Sequence, residues 1–199
     1  MKGWERIEDE RYSWLYANKY GLHSRKTRQQ HIPTALLQWS GVKQEHSIID
    51  AGCGLANINF SYPNYVGCDV SKYVIEQNRN NQEQTGEFHH CSLQEMPSIL
   101  GDREFDFLLC VDVLEHVYPE KIMEALDALS RIRAKKFVLG ISTRQSYYKD
   151  KDGNHLHMTV ESQDTWRKLL SILFNIEREK RLTSWQRADF LCSSKNRHQ

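Results

Sequence analysis

The chain has 199 residues and a formal net charge of +1, with 27% charged residues. This length fits one domain with a sizeable core, and the near-neutral charge gives no global field that would attract nucleic acid. The five cysteines form no C-x-x-C pair, which is typical of buried thiols in a reducing compartment. No apolar run has the length of a membrane span and the first residues lack a signal-peptide pattern, so we expect a soluble cytoplasmic protein with no membrane partner.

Residues 1–45 are predicted to form an N-terminal helical cap over the rest of the chain. Aromatic residues recur at helical spacing in residues 4–20, which predicts one helix, and a second helix is expected from about Thr27 to Gly41. The residues expected on the buried face of the first helix are Trp4, Ile7, Tyr12, Leu15 and Tyr16.

The segment from Arg11 to Gln44 contains basic residues but no acidic ones. One interpretation is a solvated helix face. The other is that Arg25, Lys26 or Arg28 forms a charge-assisted hydrogen bond with an anionic group of a ligand. The sequence leaves both interpretations open.

A glycine-bearing loop follows the first predicted strand. The apolar pair Ile48 and Ile49 ends in Asp50, and Gly52 and Gly54 come next. Glycine has no Cβ and accepts positive φ, so the backbone of this loop can pass close to a ligand. We expect a helix to begin after the loop, where free N–H groups favour an anion. The third glycine of a dinucleotide fingerprint is missing, which argues against a bound pyrophosphate.

A second apolar run, about twenty residues further on, also ends in an acid, Asp69. An acid at the end of the second strand of such a unit accepts hydrogen bonds from ribose hydroxyls. Together with the glycine loop, Asp69 therefore predicts a nucleoside-binding crevice.

The remaining elements alternate between helices and strands. Ser71 is a good N-cap for a helix that stops at Gly86, and the apolar run from Phe105 to Val111 predicts a central parallel strand. The further expected elements are a strand at 87–91, a helix at 119–134, a fifth strand from 135, a helix capped by Ser162, and final strands at roughly 176–183 and 188–193. The polar segment 144–157 is the candidate substrate loop.

Three motifs carry a resemblance to a known family. D-A-G-C-G at 50–54, V-G-C-D-V-S at 66–71 and F-D-F-L-L-C-V-D-V-L-E-H-V at 105–117 resemble the class I S-adenosylmethionine-dependent methyltransferases, in their order and near their spacing. The resemblance implies an α/β fold, with a Rossmann-like, seven-stranded, mostly parallel sheet and helices on both faces. Residues 46–199 would be the S-adenosylmethionine-binding core under the N-terminal helical cover.

The same resemblance implies which residues contact the cofactor S-adenosylmethionine. They are Asp50, Ala51, Gly52, Cys53, Gly54, Asp69, Val70, Ser92, Leu93, Val111, Asp112 and Val113, with Arg25 as the candidate for the methionine carboxylate. Many relatives carry an acid for the adenine amino group where this chain has Ser92. Here Ser92, Gln94 or Glu95 would make that contact.

Methyl transfer from a sulfonium is an in-line displacement that depends on positioning, and a hydroxyl acceptor also needs a base or a metal. His157, His116 and Asp112 are the candidate catalytic residues. Glu115, His116 and His157 are similar to the metal ligands of two methyltransferase branches, one acting on catechol-type hydroxyls and one on RNA 2′-hydroxyls, and suit a divalent ion. In other relatives the residues at Glu115 and His116 only anchor a loop, and His157 would then be a metal-free base.

These patterns leave three functions to consider. The first is an O-methyltransferase for a small-molecule or saccharide acceptor. The second is a divalent-metal-dependent RNA 2′-O-methyltransferase, which the near-neutral charge disfavours. The third is a module that binds S-adenosylmethionine without catalysis. No motif identifies the acceptor or an oligomeric state.

Overall fold

The computed structural model describes residues 3–18, 34–56, 62–83, 85–182 and 186–195. Seven strands form one sheet with the order β3-β2-β1-β4-β5-β7-β6. The strands are β1 (Ile48–Ala51), β2 (Tyr65–Asp69), β3 (Glu87–His90), β4 (Glu104–Val111), β5 (Arg133–Ser142), β6 (Phe174–Leu182) and β7 (Arg187–Ser194). All neighbouring pairs from β3 to β5 are parallel, and β7 runs antiparallel to both β5 and β6. The predicted seven-stranded, mostly parallel sheet is confirmed.

Six α-helices accompany these strands in the part of the chain that the structure describes. They are α1 (Gly3–Asn18), α2 (Thr34–Ser40), α3 (Lys72–Asn80), α4 (Met96–Leu100), α5 (Ile122–Arg131) and α6 (Gln163–Leu173). Two short 3₁₀ turns, Leu114–His116 and Pro119–Lys121, connect β4 to α5. None of the helices within the described residues is long and apolar enough to cross a membrane.

Two apolar clusters cover the two faces of the sheet. Successive residues of β4 alternate between them, with Leu108 in the cluster beneath α4, α5 and α6 and Leu109 in the cluster that includes α2 and α3. Because β4 lies in the middle of the sheet and is covered on both sides, its sequence is almost continuously apolar. The apolar alternation thus places the core on both faces and leaves the carboxyl ends of the strands for polar residues.

Several predicted boundaries differ from the structure. The helix capped by Ser71 ends at Asn80, before the predicted Gly86, and the helix after Pro119 ends at Arg131 because Arg133 already pairs with Glu104 of β4. The sequence analysis missed α4. The helix expected after the glycine loop falls largely on residues 57–61, and the first part of the helix expected from Thr27 falls on residues 19–33, which both lie outside the described residues.

The first helix is present, but its predicted buried face is wrong at one position. Ile7 is 58% exposed, while Glu5, Glu8 and Arg11 are buried together with Leu15. A helix that buries three charged side chains covers a polar surface, so hydrophobic periodicity cannot identify its inner face. That polar surface is the carboxyl edge of the sheet.

Candidate functional site

The loop after β1 is built around two glycines with positive φ. Gly52 has φ +78° and Gly54 has φ +51°, and the N–H groups of Gly52 and Cys53 donate to the Cys68 carbonyl at 2.8 and 3.0 Å. The side chain of Val113 lies against Gly52 so closely that a Cβ there would overlap it. The loop therefore turns tightly between the ends of β2 and β4, as the sequence predicts.

Asp69 holds this loop to the end of β2. One carboxylate oxygen accepts a hydrogen bond from the Gly54 N–H at 2.9 Å, and the other accepts from the Ser71 N–H at 2.8 Å. The glycine loop and the second acid therefore lie at the same edge of the sheet. This is the geometry that the nucleoside-binding prediction requires.

Asp50 and Ala51 lie beneath the loop and are fully buried. The Tyr65 hydroxyl donates to the Asp50 carboxylate at 2.6 Å. Burial, with the negative charge of Asp50, raises the pKa of Tyr65 well above its ordinary value. Burial, with the charge of Asp69, likewise raises the pKa of the Cys53 thiol, so Cys53 is a packing residue and not a nucleophile.

The end of β3 provides the predicted adenine side of the crevice. The Ser92 hydroxyl lies 3.0 Å from a Glu5 carboxylate oxygen and 3.1 Å from a Glu95 carboxylate oxygen, so both acids are within hydrogen-bond distance of it. Leu93 is partly buried against the core, and the Val70 carbonyl lies 3.0 Å from His90 Nε2. Two acids thus surround the position where Ser92 replaces the acid of many relatives.

The residue after β4, Asp112, has an unusual backbone conformation. Its φ is +54°, which is uncommon for a residue other than glycine. Its N–H donates to the Gly140 carbonyl at 2.8 Å, while its side chain is 40% exposed. The flanking Val111 is buried and Val113 packs against the core. Asp112 is therefore held from below and presents its carboxylate at the edge of the sheet.

Glu115, His116 and His157 come together as the sequence predicts. One ligand atom from each lies within 4.8 Å of the others. His116 Nδ1 lies 3.0 Å from the Leu156 carbonyl, and His157 Nδ1 lies 2.6 Å from the Arg144 carbonyl. A carbonyl accepts only, so each Nδ1 carries a proton, and in the neutral form of each ring the lone pair is on Nε2. Such rings suit either a metal ion or a transferred proton.

Glu115 is completely buried. Its Oε1 accepts a hydrogen bond from the Ser142 N–H at 3.0 Å, and its Oε2 has no hydrogen-bond partner among the residues that the structure describes. Burial, reinforced by the charge of Asp112, raises the pKa of Glu115 to about 8. The Glu115 carbonyl also accepts from the N–H groups of Met158 and Thr159, at 2.8 and 3.0 Å. Glu115 therefore anchors the loop that carries His157.

The ring of His157 stands perpendicular to that of His116, with 4.9 Å between their centroids. Burial lowers the pKa of His157 from its ordinary value, so this ring is neutral at pH 7 and accepts a proton at Nε2. His155, on the same loop, is exposed and points its Nδ1 at the Ser146 carbonyl, 2.8 Å away. The structure thus distinguishes the two histidines of the substrate loop.

Helix α1 covers the crevice with residues for which the sequence offered no motif. The Ser13 hydroxyl lies 3.0 Å from the Ser71 hydroxyl, and the Lys72 N–H donates to an Asp9 carboxylate oxygen at 2.8 Å. The Tyr16 hydroxyl lies above Gly54, so close that a Cβ on Gly54 would be 2.8 Å from it. Asp9, Ser13 and Tyr16 are spaced to lie on one face of α1 together with the polar residue Glu5. Only this spacing could have indicated the role of the helix.

Arg11 is buried and does not belong to a solvated helix face. Its guanidinium lies 3.1 Å from an Asp150 carboxylate oxygen and 3.6 Å from a Glu8 carboxylate oxygen, and it donates to the His155 carbonyl at 3.0 Å. The first interpretation of the basic segment is therefore wrong for Arg11, although Lys43 is exposed. Arg25, the candidate for the methionine carboxylate, lies outside the described residues.

Comparison with known proteins agrees with this geometry. A family model for a methyltransferase domain matches residues 49–136. The PH0226 protein of Pyrococcus horikoshii OT3 is similar in structure, with a TM-score of 0.67 and 16% identity over 98% of this chain and 100% of that chain. The 1,6-didemethyltoxoflavin-N1-methyltransferase of Burkholderia thailandensis, solved with 1,6-didemethyltoxoflavin and S-adenosylhomocysteine, has a TM-score of 0.66 and 14% identity over 97% and 89%.

A third similar structure is the magnesium protoporphyrin IX methyltransferase of Synechocystis PCC 6803 with bound S-adenosylmethionine. Its TM-score is 0.61, with 14% identity over 96% of this chain and 95% of that chain. No curated protein sequence matches the chain significantly.

The glycine loop, Asp69 and the sheet topology define a methyltransferase built on a Rossmann-like fold. The three motifs all lie within the matched methyltransferase domain. Residues 49–136 belong to a methyltransferase domain family, and the similar structures solved with S-adenosylhomocysteine or S-adenosylmethionine support S-adenosylmethionine as the cofactor.

Proposed function

We propose that this enzyme methylates a hydroxyl group of a small molecule or saccharide. The observation that carries the proposal is His157, a neutral and partly buried histidine with its Nε2 lone pair available in the cluster with Glu115 and His116. A hydroxyl, unlike an amine with its own lone pair, must lose its proton as it attacks, so a base at this position serves an oxygen acceptor.

The cofactor is proposed to lie across the carboxyl edge of the sheet. Gly52 and Gly54, both at positive φ, turn the loop beside the adenosyl group, and Asp69 accepts hydrogen bonds from the ribose hydroxyls. Ser92 and the adjacent acids face the adenine, and Asp112 with Val113 faces the methionine end. The support is that these residues lie at or just after the carboxyl ends of the parallel strands β1 to β4, and that the Gly54 N–H donates to the Asp69 carboxylate.

The reaction is a single displacement. The acceptor oxygen forms a bond to the methyl carbon while the carbon–sulfur bond breaks. The electron pair of the broken bond stays on sulfur, which gives S-adenosylhomocysteine. The acceptor proton moves to His157 Nε2, because Nδ1 already donates to the Arg144 carbonyl. Most of the acceleration comes from holding the oxygen in line with the departing sulfur.

The loop after β5 supports a ring-containing acceptor. Tyr147 is 83% exposed, and the guanidinium of Arg144 lies 4.3 Å from the centroid of its ring. An exposed aromatic face on an anchored loop stacks well on sugar or planar rings. Two similar structures are named as methyltransferases of small molecules, 1,6-didemethyltoxoflavin and magnesium protoporphyrin IX, which is consistent with this class of acceptor.

We also propose that residues 1–45 form the cover of the site, with residues 46–199 as the cofactor-binding core. The hydrogen bonds from α1 to Ser71, Lys72 and Ser92 support this division. Helix α1 of this cover buries Glu5, Glu8 and Arg11 beside Leu15, and such a polar wall suits a polar cofactor.

The test is methyl transfer to panels of hydroxyl-bearing sugars and small aromatic molecules, measured as release of S-adenosylhomocysteine. In His157→Ala the turnover should fall by about 10²- to 10⁴-fold, while the dissociation constant for S-adenosylhomocysteine changes little. His155→Ala on the same loop is the matched control and should retain activity. Equal activity of wild type and His157→Ala toward an identified acceptor would contradict the proposed base.

A second candidate function is that of a divalent-metal-dependent RNA 2′-O-methyltransferase, which the spacing of Glu115, His116 and His157 favours. A carboxylate with an unsatisfied buried oxygen and two rings with Nε2 lone pairs fit a divalent ion such as Mg²⁺, Mn²⁺ or Zn²⁺. When bound, the ion would lower the pKa of the acceptor hydroxyl. This arrangement would suit the 2′-hydroxyl of an RNA end.

Chelation separates the two candidates. Protein treated with a chelator is assayed with short RNA and with the small-molecule panel, before and after addition of Mg²⁺, Mn²⁺ or Zn²⁺. Loss and ion-dependent recovery of RNA methylation would establish the second candidate. Full activity after chelation, confirmed by elemental analysis of the protein, would exclude it.

A further inference from the structure

Arg187 is a buried cation beside the proposed methionine end of the cofactor site. It begins β7, and its side chain is 8% exposed. Its Nε donates to an Asp189 carboxylate oxygen at 2.7 Å, and its Nη1 lies 3.6 Å from Asp112 Oδ2. No local pattern indicates this residue, which lies between the two final predicted strands and belongs to no motif.

Gly140 makes the space for this guanidinium. The residue lies on β5 opposite Asp189, and a Cβ built there would overlap the guanidinium nitrogens of Arg187. The guanidinium therefore lies flat on the backbone of β5, with Gly140 beneath it and Asp112 beside it. The Gly140 carbonyl also accepts the N–H of Asp112, so one glycine supports both partners.

Three carboxyl groups surround the guanidinium. Asp112 and Asp189 pair with it directly, and its charge also reaches Glu115, where it opposes the rise in pKa that burial causes. Burial raises the pKa of Asp189, and the charge of Asp112 contributes to that rise. Without Arg187, the carboxylates of Asp112 and Asp189 would repel one another.

Asp112 depends on this compensation more than its neighbours do. Its φ of +54° is strained for a residue other than glycine. The ion pair with Arg187 fixes the direction of the carboxylate in this strained backbone. Removing the guanidinium would leave Asp112 free to turn away from the other acids.

We propose that Arg187 is a positioning residue that acts through Asp112: held by Asp189 and seated on Gly140, it keeps the Asp112 carboxylate oriented toward the methionine end of S-adenosylmethionine. This inference rests on the proposed function in one respect, namely that Asp112 contacts the cofactor.

The test is a double-mutant cycle read out by the dissociation constant for S-adenosylhomocysteine, measured by calorimetry. Arg187→Met should weaken binding about tenfold, the value of one hydrogen bond to a charged group. Asp112→Asn keeps the left-handed backbone, which asparagine tolerates, and removes the charge. In the double variant, the loss of Arg187 should add less than about twofold to the effect of Asp112→Asn, because residues that act through one another are not additive.

Two further variants control for folding. Arg181→Met removes an exposed cation from the neighbouring strand β6 and should bind S-adenosylhomocysteine as the wild type does. Gly140→Ala retains every charge but displaces the guanidinium, and should reproduce the loss seen in Arg187→Met. If circular dichroism shows that Arg187→Met does not fold, the test uses Gly140→Ala alone, and the inference requires that this variant bind S-adenosylhomocysteine about tenfold more weakly than the wild type.

The outcomes separate this inference from the proposed function. Wild-type protein that fails to bind S-adenosylhomocysteine would overturn the cofactor site itself. If the wild type binds S-adenosylhomocysteine and Arg187→Met or Gly140→Ala binds it with the same dissociation constant, only the role of Arg187 is overturned. Additive losses in the double variant would show that Arg187 supports the fold without acting through Asp112, which also overturns the inference.

Discussion

The N–H of Gly54 donates to the carboxylate of Asp69 at 2.9 Å, and this bond joins the ends of β1 and β2. The second oxygen of the same carboxylate accepts from Ser71 at 2.8 Å, at the N-terminus of α3. One acid therefore holds both the glycine loop and Ser71, which is the N-cap of the next helix. The shape of the proposed adenosyl site depends on this carboxylate before any ligand binds.

Asp69→Ala should abolish this arrangement. Two hydrogen bonds to a charged acceptor are lost, so we expect a fall in the free energy of unfolding of about 2–4 kcal/mol and at least a hundredfold weaker binding of S-adenosylhomocysteine. Calorimetric titration and thermal melting measure the two effects. Asp152→Ala, an exposed acid on the loop after β5, is the matched control. Unchanged affinity in Asp69→Ala would rule out a ribose contact.

Gly52→Ala isolates close packing from backbone conformation. Gly52 and Gly153 have similar φ values, +78° and +84°, but a Cβ would overlap Val113 at Gly52 and meets nothing within 4 Å at Gly153. Gly153→Ala should cost only the conformational penalty, roughly 1 kcal/mol. Gly52→Ala should cost more, by about 1–3 kcal/mol of steric displacement, and should lose cofactor binding. Equal melting temperatures of the two variants would contradict the packing seen here.

The sequence predicted the sheet and the cofactor edge because their signals are local. Asp50, Gly52 and Asp69 each follow an apolar run, and the ends of parallel strands must meet at one edge. The cluster of Glu115, His116 and His157 was also predicted, because a short motif and one loop histidine carry it. Residues of this kind are visible in a single sequence.

The remaining parts of the site come from long-range pairings that no local pattern encodes. Arg11 contacts Asp150, and Arg187 contacts Asp112, across large sequence separations. In both cases a buried guanidinium is tolerated because a carboxylate lies beside it. Composition and periodicity identify charged residues as exposed by default, so this part of the structure could not be predicted from them.

Arg11→Met should show that α1 is fixed to the substrate loop by a buried ion pair. Removing the guanidinium leaves Asp150 and Glu8 buried without their cation, and we expect a loss of about 3–5 kcal/mol in the free energy of unfolding. Hydrogen exchange should rise in residues 146–158, since Arg11 also donates to the His155 carbonyl. The control is Arg6→Met, which removes an exposed arginine paired with Glu10 on the same helix. It should change neither the free energy of unfolding nor the hydrogen exchange of residues 146–158.

Glu115 should make the protein less stable as the pH rises. Its pKa is about 8 in the folded chain and near 4.5 in an unfolded one. Between these values the folded protein holds a proton that the unfolded chain releases, so the contribution of Glu115 is fully present below pH 4.5 and is lost by about pH 8. This direction is opposite to that of a salt-bridged acid such as Asp106, whose pKa is lowered to about 2.

Glu115→Gln tests this prediction, because glutamine keeps an acceptor for the Ser142 N–H and does not titrate. The difference in free energy of unfolding between wild type and variant, measured by urea denaturation in the presence of a chelator, should change by up to about 1.4 kcal/mol per pH unit between pH 5 and 8. The free energy of unfolding of the variant should increase relative to that of the wild type as the pH rises. Contributions from other titrating groups cancel in the difference. A constant difference across this range would mean that Glu115 is ionised in the folded protein. A slope that disappears when Zn²⁺ or Mn²⁺ replaces the chelator would instead identify the carboxylate as a metal ligand, because the bound ion displaces the proton that produces the slope.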